Sequence, residues 1–125
     1  MYGKFLVPIP DKLTQQDAQD HCKSLKIGGK PLKLFEPYSK DETNSVFHKA
    51  NIITGTGNHR YWIGAHVSNG EVRYDSNDQK IDFLHDVNIH IDHDGSCITF
   101  DQNDWWNDDY CTNHQSNYYV CELVI

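Results

Sequence analysis

The side chains best suited to chemistry lie together in Cys97-Ile98-Thr99-Phe100-Asp101-Gln102-Asn103-Asp104-Trp105-Trp106-Asn107-Asp108-Asp109-Tyr110-Cys111. A short apolar run leaves Cys97, and an oxygen-rich turn built on two tryptophans returns to Cys111. Carboxylate and amide oxygens at this density repel one another unless water or a shared cation lies between them. Hard oxygen donors suit Ca2+, which takes about six to eight of them at about 2.3–2.6 Å. Residues 1–80 hold all 11 Lys and Arg and nine of the acids, whereas residues 81–125 hold no Lys or Arg and nine acids. The net charge of −7 is therefore lodged in the C-terminal third. A solvated acidic face would share that charge. Here the acids are interleaved with Trp, His and Cys rather than with Lys and Ser, which favours a site.

A second group with metal-binding chemistry stands upstream, His85-Asp86-Val87-Asn88-Ile89-His90-Ile91-Asp92-His93-Asp94. The piece Asn88-x-His90-x-Asp92-His93 is superficially similar to the His-x-His-x-Asp-His zinc motif of metallo-β-lactamase-like hydrolases. That motif belongs to a much larger αββα fold with distant further ligands, which 125 residues cannot hold. The histidines read instead as exposed loop residues, as adventitious transition-metal ligands, or, at His90 and His93, as direct hydrogen-bonding partners of a ligand. The remaining five, His21, His48, His59, His66 and His114, are scattered. With no nucleophile–base pair in view, the sequence argues against an enzyme.

Such residues need a scaffold, and 125 residues allow one domain with one real core. Hydrophobic content of 38% with three Trp, seven Tyr and five Phe marks a folded chain. Local acidity argues against nucleic acid, since phosphate contacts need clustered Lys and Arg. No apolar run approaches the roughly 18 residues of a membrane span, so no membrane insertion is expected. Phe5-Leu6-Val7 is too short for a signal-peptide core, so Met1 reads as the start of an expressed mature domain. Four cysteines in separate segments, none in a Cys-x-x-Cys pair, indicate a disulfide framework and a secreted, extracellular setting.

Tyr2 to Val7 reads as a strand closed by Pro8 and Pro10. Thr14 and Asp17 form a capping signature for a first helix, with Ala18, Cys22 and Leu25 on its buried face and Gly28-Gly29 as its stop. Ser39 and Glu42 repeat the signature for a second helix that buries Val46, Phe47, Ala50 and Ile53 and ends near Gly55. Tyr61 to Gly64 is a strand, Asn69-Gly70 the best hairpin turn, and Val72 to Tyr74 its return. Residues 75–96 show no periodicity, which suits a functional loop. Cys97 to Phe100 and Tyr118 to Ile125 read as the last two strands, with the acidic turn between them. Helices first and strands after them give an α+β domain.

Two capped helices, Trp62-Ile63-Gly64, Trp106-Asn107-Asp108 and the series Cys97…Cys111…Cys121 together resemble a C-type lectin-like domain of the short, four-cysteine, invertebrate type, across essentially residues 1–125. The resemblance implies two helices with small antiparallel sheets and a long ligand-binding loop. It also implies the pairings Cys22–Cys121 and Cys97–Cys111. In calcium-binding members one principal site holds both ion and sugar. It uses Glu-Pro-Asn or Gln-Pro-Asp in the long loop, an acid near the following cysteine, and the Asn-Asp of the Trp-Asn-Asp motif. Asn107 and Asp108 match that motif, and Asp86-Val87-Asn88 holds the tripeptide's place. The acid is one methylene shorter and the proline is replaced by Val87, where a cis bond would cost about 3–4 kcal/mol against about 0.5–1 before proline. Gly95 stands where a Glu is usual, so Asp94, ahead of Asp92, must serve.

The implied calcium set is thus Asp86, Asn88, Asp94, Asn107 and Asp108, with binding weaker than the family norm or absent. The implied saccharide contacts are Asp86, Asn88, Asn107 and Asp108, with Trp105 as a stacking ring or a structural anchor and His93 as a hydrogen-bond partner. The family buries Trp106 beneath the turn. Acid then amide at 86 and 88 resembles the mannose-type order. The expected function is a calcium-dependent lectin for glycans. The alternative is a calcium-independent module that binds a protein, or a sugar without metal. Weak sites gain from repetition, so a non-covalent homodimer is expected, with no cysteine left for a covalent one.

Overall fold

The computed structural model describes residues 3–55, 59–84, 87–91, 93–101, 105–111 and 117–124, with Thr54 and Trp105 described by backbone alone. Strand β1 covers Lys4–Leu13 and does not stop at its prolines. It pairs antiparallel with β10 (Asn117–Val124), with Pro8 opposite Val120 and Ile9 opposite Tyr119. Proline is tolerated there because β1 is an edge strand, where an outward N–H has no ladder to join.

Helix α1 covers Gln15–Ser24, and Thr14 caps it by accepting a hydrogen bond from the Asp17 N–H. Ala18 and Cys22 are buried as the spacing predicts. The helix ends at Leu25, before the glycine pair expected to stop it. Gly28 and Gly29 instead take positive φ in the turn of a small hairpin, β2 (Lys26–Ile27) with β3 (Lys30–Pro31). Strand β4 (Lys33–Leu34) lies on β10. Helix α2 covers Lys40–Thr54, with Ser39 Oγ accepting from the Glu42 N–H at 3.0 Å and Gly55 at its end. Val46, Phe47 and Ala50 are buried, but Ile53, expected beside them, is 54% exposed. Burial stops with Ala50, so the last turn runs past the packed face.

Strands β5 (Tyr61–Ser68) and β6 (Glu71–Tyr74) form the expected hairpin, with positive φ at both Asn69 and Gly70. Besides β2, β3 and β4, two further strands appear where none was expected. Strand β7 (Asn88–His90) lies inside the aperiodic stretch, and β9 (Trp105–Asp109) lies inside the acidic turn, after β8 (Cys97–Phe100). The ladder runs β1-β10-β5-β8-β9-β7, with β4 on β10 and β6 on β5; its β5–β10 and β7–β9 pairings are parallel. The architecture is α+β.

Central strand β5 is buried on both faces. Tyr61 and Ile63 join a core with Phe47, Phe100 and Trp106, while Trp62 faces a second core with Ala18, Cys22 and Tyr119. The disulfides are Cys22–Cys121 and Cys97–Cys111, closing separations of 99 and 14 residues. In the chain-entropy picture, loops of these sizes give about 4.7 and about 3 kcal/mol.

One charged cluster is set into this frame. Lys4 Nζ donates to the Glu36 carbonyl at 2.9 Å and to Glu42 and Glu122 carboxylates at 3.0 Å each. Glu122 also accepts from the Glu36 N–H at 2.6 Å. Burial nonetheless raises the Glu122 pKa above its ordinary 4.5, with Lys4 pulling it back. The fold therefore favours the protonated carboxyl, a contribution complete below the ordinary value and lost as pH rises through the raised one.

Replacing both Cys22 and Cys121 by serine should cost about 2–5 kcal/mol in denaturant unfolding. Lys4→Met leaves Glu122 buried without its cation and should cost about 3–5 kcal/mol. Its melting temperature should also fall more steeply than the native protein's as pH rises above the ordinary Glu value of 4.5.

Candidate functional site

Strand β9 receives its backbone hydrogen bonds from both sides. β8 runs antiparallel to it, pairing Cys97 with Asp109 and Thr99 with Asn107. β7 runs parallel to it, pairing Asn88 with Trp105 and His90 with Asn107. The loop carrying the upstream acid–amide pair is thereby laddered to the Trp-Asn-Asp strand. Side chains alternate across a pleated strand, so Asn88, His90 and Asn107 share one face. Trp106 points the other way, 1% exposed and edge-on to Phe83 at 5.5 Å, as a structural residue.

Asn107 and Asp108 line one cavity of about 210 Å³ together with Arg60, His90, His93 and Tyr110. Asp108 Oδ2 accepts the His93 backbone N–H at 2.8 Å, and His93 Nδ1 stands 3.5 Å from the same oxygen. The Asp108 side chain is only 7% exposed. Asp94 is turned to the hairpin tip, where Oδ1 accepts the Gly70 N–H at 2.9 Å. Next to it Gly95 donates to the Val67 carbonyl and takes a φ of 81°. Asn88 is exposed. His85, Asp86 and Asp92 lie outside the described residues, and Trp105 is described only as the first residue of β9.

Among the described residues, no three His, Cys, Asp or Glu side chains gather as a metal cage. Asn107 and Asp108 are of the right chemistry for a hard cation, and amide oxygens and Asp86 fall outside that count. Larger hollows of about 490 and about 530 Å³ flank Tyr38 and Lys4, but the charged groups there are largely paired with one another.

Four residues of the cavity went unread in the sequence: Arg60, Ser96, Asp109 and Tyr110. Tyr110 is 57% exposed, its ring tilted against His93 at 6.4 Å. Asp109 follows the motif directly, and burial raises its pKa against the opposing pull of the Tyr110 N–H and Arg60. Arg60 Nη1 lies 3.8 Å from Asp109 Oδ2. Asp109 and Tyr110 could have been found by extending the motif past Asp108, whereas nothing local marks Arg60, which arrives through the β5–β8–β9 pairing.

No curated protein sequence matches the chain. Solved structures do share its fold. C-type lectin CEL-I from Cucumaria echinata superposes with a TM-score of 0.73 at 15% identity, covering 98% of this chain and 90% of that one. A Ca2+-dependent type II antifreeze protein in its Ca2+-free form gives 0.71 at 18%, over 97% and 92%. Human lithostathine gives 0.67 at 17%, over 98% and 83%. The family model for the Lectin C-type domain matches residues 11–123. With that match across nearly its full length and the motif strand built as described, the chain belongs to the C-type lectin domain family.

Proposed function

We propose that this protein is a carbohydrate-binding lectin that takes a saccharide at the cavity lined by Asn107 and Asp108. The observation that carries the reading is the parallel pairing of β7 with β9, which holds Asn88 on the face of Asn107. An amide both donates and accepts, and a carboxylate only accepts. Vicinal hydroxyls presented to alternating Asn and Asp can therefore be satisfied at once. The acid–amide order at Asp86 and Asn88 leans to mannose-type sugars. Trp105 and His93 would add a stacking face and a hydrogen bond.

Asn107 and Asp108, with Asp86 and Asn88, are the residues we assign to Ca2+. When bound, such an ion offers coordination positions to two sugar hydroxyls. Asp94 can join this set only by releasing the Gly70 N–H. Weak binding follows, with a Kd on the order of 10⁻⁴–10⁻³ M, as in extracellular modules. Two disulfides suit an oxidising compartment, which supports secretion. A non-covalent homodimer would multiply a weak site. We assign no catalytic role.

A second reading, binding of a protein or of a sugar without metal, is favoured by one observation: Asp108 and Asp94 each already hold a backbone N–H.

Calorimetric titration with Ca2+ and then mannose, N-acetylglucosamine and galactose should show calcium-dependent heats, largest for mannose. Asn107→Ala should weaken both ion and sugar by at least about tenfold, roughly the worth of one charge-assisted ligand contact. Sugar binding that persists unchanged in chelator would replace the calcium mechanism with the second reading.

A further inference from the structure

The cavity lined by Asn107 and Asp108 is rich in acids, but its acids and its cation lie at different depths. The Asp108 side chain is 7% exposed and gives Oδ2 to the His93 N–H. Asp109 is 11% exposed and gives Oδ1 to the Tyr110 N–H at 3.2 Å. Arg60, on the same cavity, is 51% exposed, and the His93 side chain beside it is 65% exposed. Among the described residues that line this cavity, Arg60 is the only Lys or Arg. The carboxylates are sunk into the wall, and the full charge turned to solvent is a guanidinium.

Arg60 stands immediately before β5, outside the acidic third of the chain. It reaches the cavity because β5 pairs with β8 and β8 with β9. A guanidinium carries five N–H donors in a rigid fork. Its Nη1 lies 3.8 Å from Asp109 Oδ2, which balances charge without making a hydrogen bond. Half of the side chain is open to solvent, so a ligand can reach donors on it without breaking that contact. A planar carboxylate is the group that such a fork holds with two parallel bonds. A hexose oxidised at C6 carries its carboxylate one ring carbon away from its 3,4-hydroxyl pair. One such residue can therefore present a diol and an anion to a single cavity of about 210 Å³.

We propose that Arg60 is a specificity-determining residue that selects a uronic acid, pairing with the sugar carboxylate while the vicinal hydroxyls meet Asn107 and Asp108. The inference rests on the lectin reading above and narrows its ligand to acidic saccharides. Asp108 and Asp109 oppose the anion least where they are, since both are buried and each accepts a backbone N–H.

The test compares methyl mannoside with methyl mannuronoside, and the glucose and galactose pairs in the same way, by calorimetry on the native protein and Arg60→Gln. Within each pair the sugars differ only at C6, so the ratio of affinities isolates the carboxylate. In the best-bound pair the native protein should favour the acid by about threefold to thirtyfold, between an exposed ion pair and a buried charge-assisted bond. That ratio should shrink as salt rises from about 0.02 M to about 0.5 M. Arg60→Gln should bring it to about one. Thermal melting checks the variant's fold. Should Arg60→Gln misfold, the native protein decides alone: a ratio near one, or one indifferent to salt, overturns the proposal. A preference that survives in folded Arg60→Gln also overturns it, because the carboxylate is then held by another group. Binding of the neutral sugars with no preference for the acids overturns this inference and leaves the lectin reading standing. Absence of binding to every sugar tested overturns the reading on which it rests.

Discussion

The burial of Trp106 holds the candidate site in place. A tryptophan fully removed from water is one of the larger hydrophobic contributions a chain this size can make, and here it packs edge-on to Phe83 within the main core. Because a strand alternates its side chains, fixing Trp106 inward determines that Asn107 faces outward and that Asp109 repeats that direction. Pairing with β8 on one side and β7 on the other then prevents β9 from sliding by one residue, a slip that would exchange the two faces. The polar residues of the motif are therefore held in position by the apolar one, and the Cys97–Cys111 bond closes the unit around them.

Much of the fold was legible because its signals are local. Thr14 with Asp17 and Ser39 with Glu42 name the helix starts, and both caps form as written. Asn69-Gly70 names its turn. The helix C-terminus was harder: Gly28-Gly29 serves a turn equally well, and three residues after Leu25 the chain was already committed to a hairpin. Strands β7 and β9 were hidden for a related reason. Their stability comes from partners distant in sequence, and the acids on β9 mask the two-residue alternation that would have revealed it. Ile53 shows the limit of helical spacing, which gives a face without saying how far the neighbouring sheet extends under it.

The site was legible as chemistry more than as geometry. Asn107 and Asp108 do share a cavity, and the upstream loop is joined to their strand. What the residue types could not convey is competition for the same oxygens. Asp108 and Asp94 are acceptors for any donor within reach, and His93 and Gly70 bring backbone N–H groups to them. A ligand set read from sequence counts oxygens, while the folded loop has already engaged some of them in its own hydrogen bonds.

Strand β1 bears on how copies of this protein can meet. Pro8 stands opposite Val120 in the regular part of the β1–β10 pairing and offers no amide hydrogen to the margin turned away from β10, and Pro10 follows where the register shifts. That margin is short of a donor that a foreign strand would use to zip on. Growth of the sheet from molecule to molecule is hindered at this border.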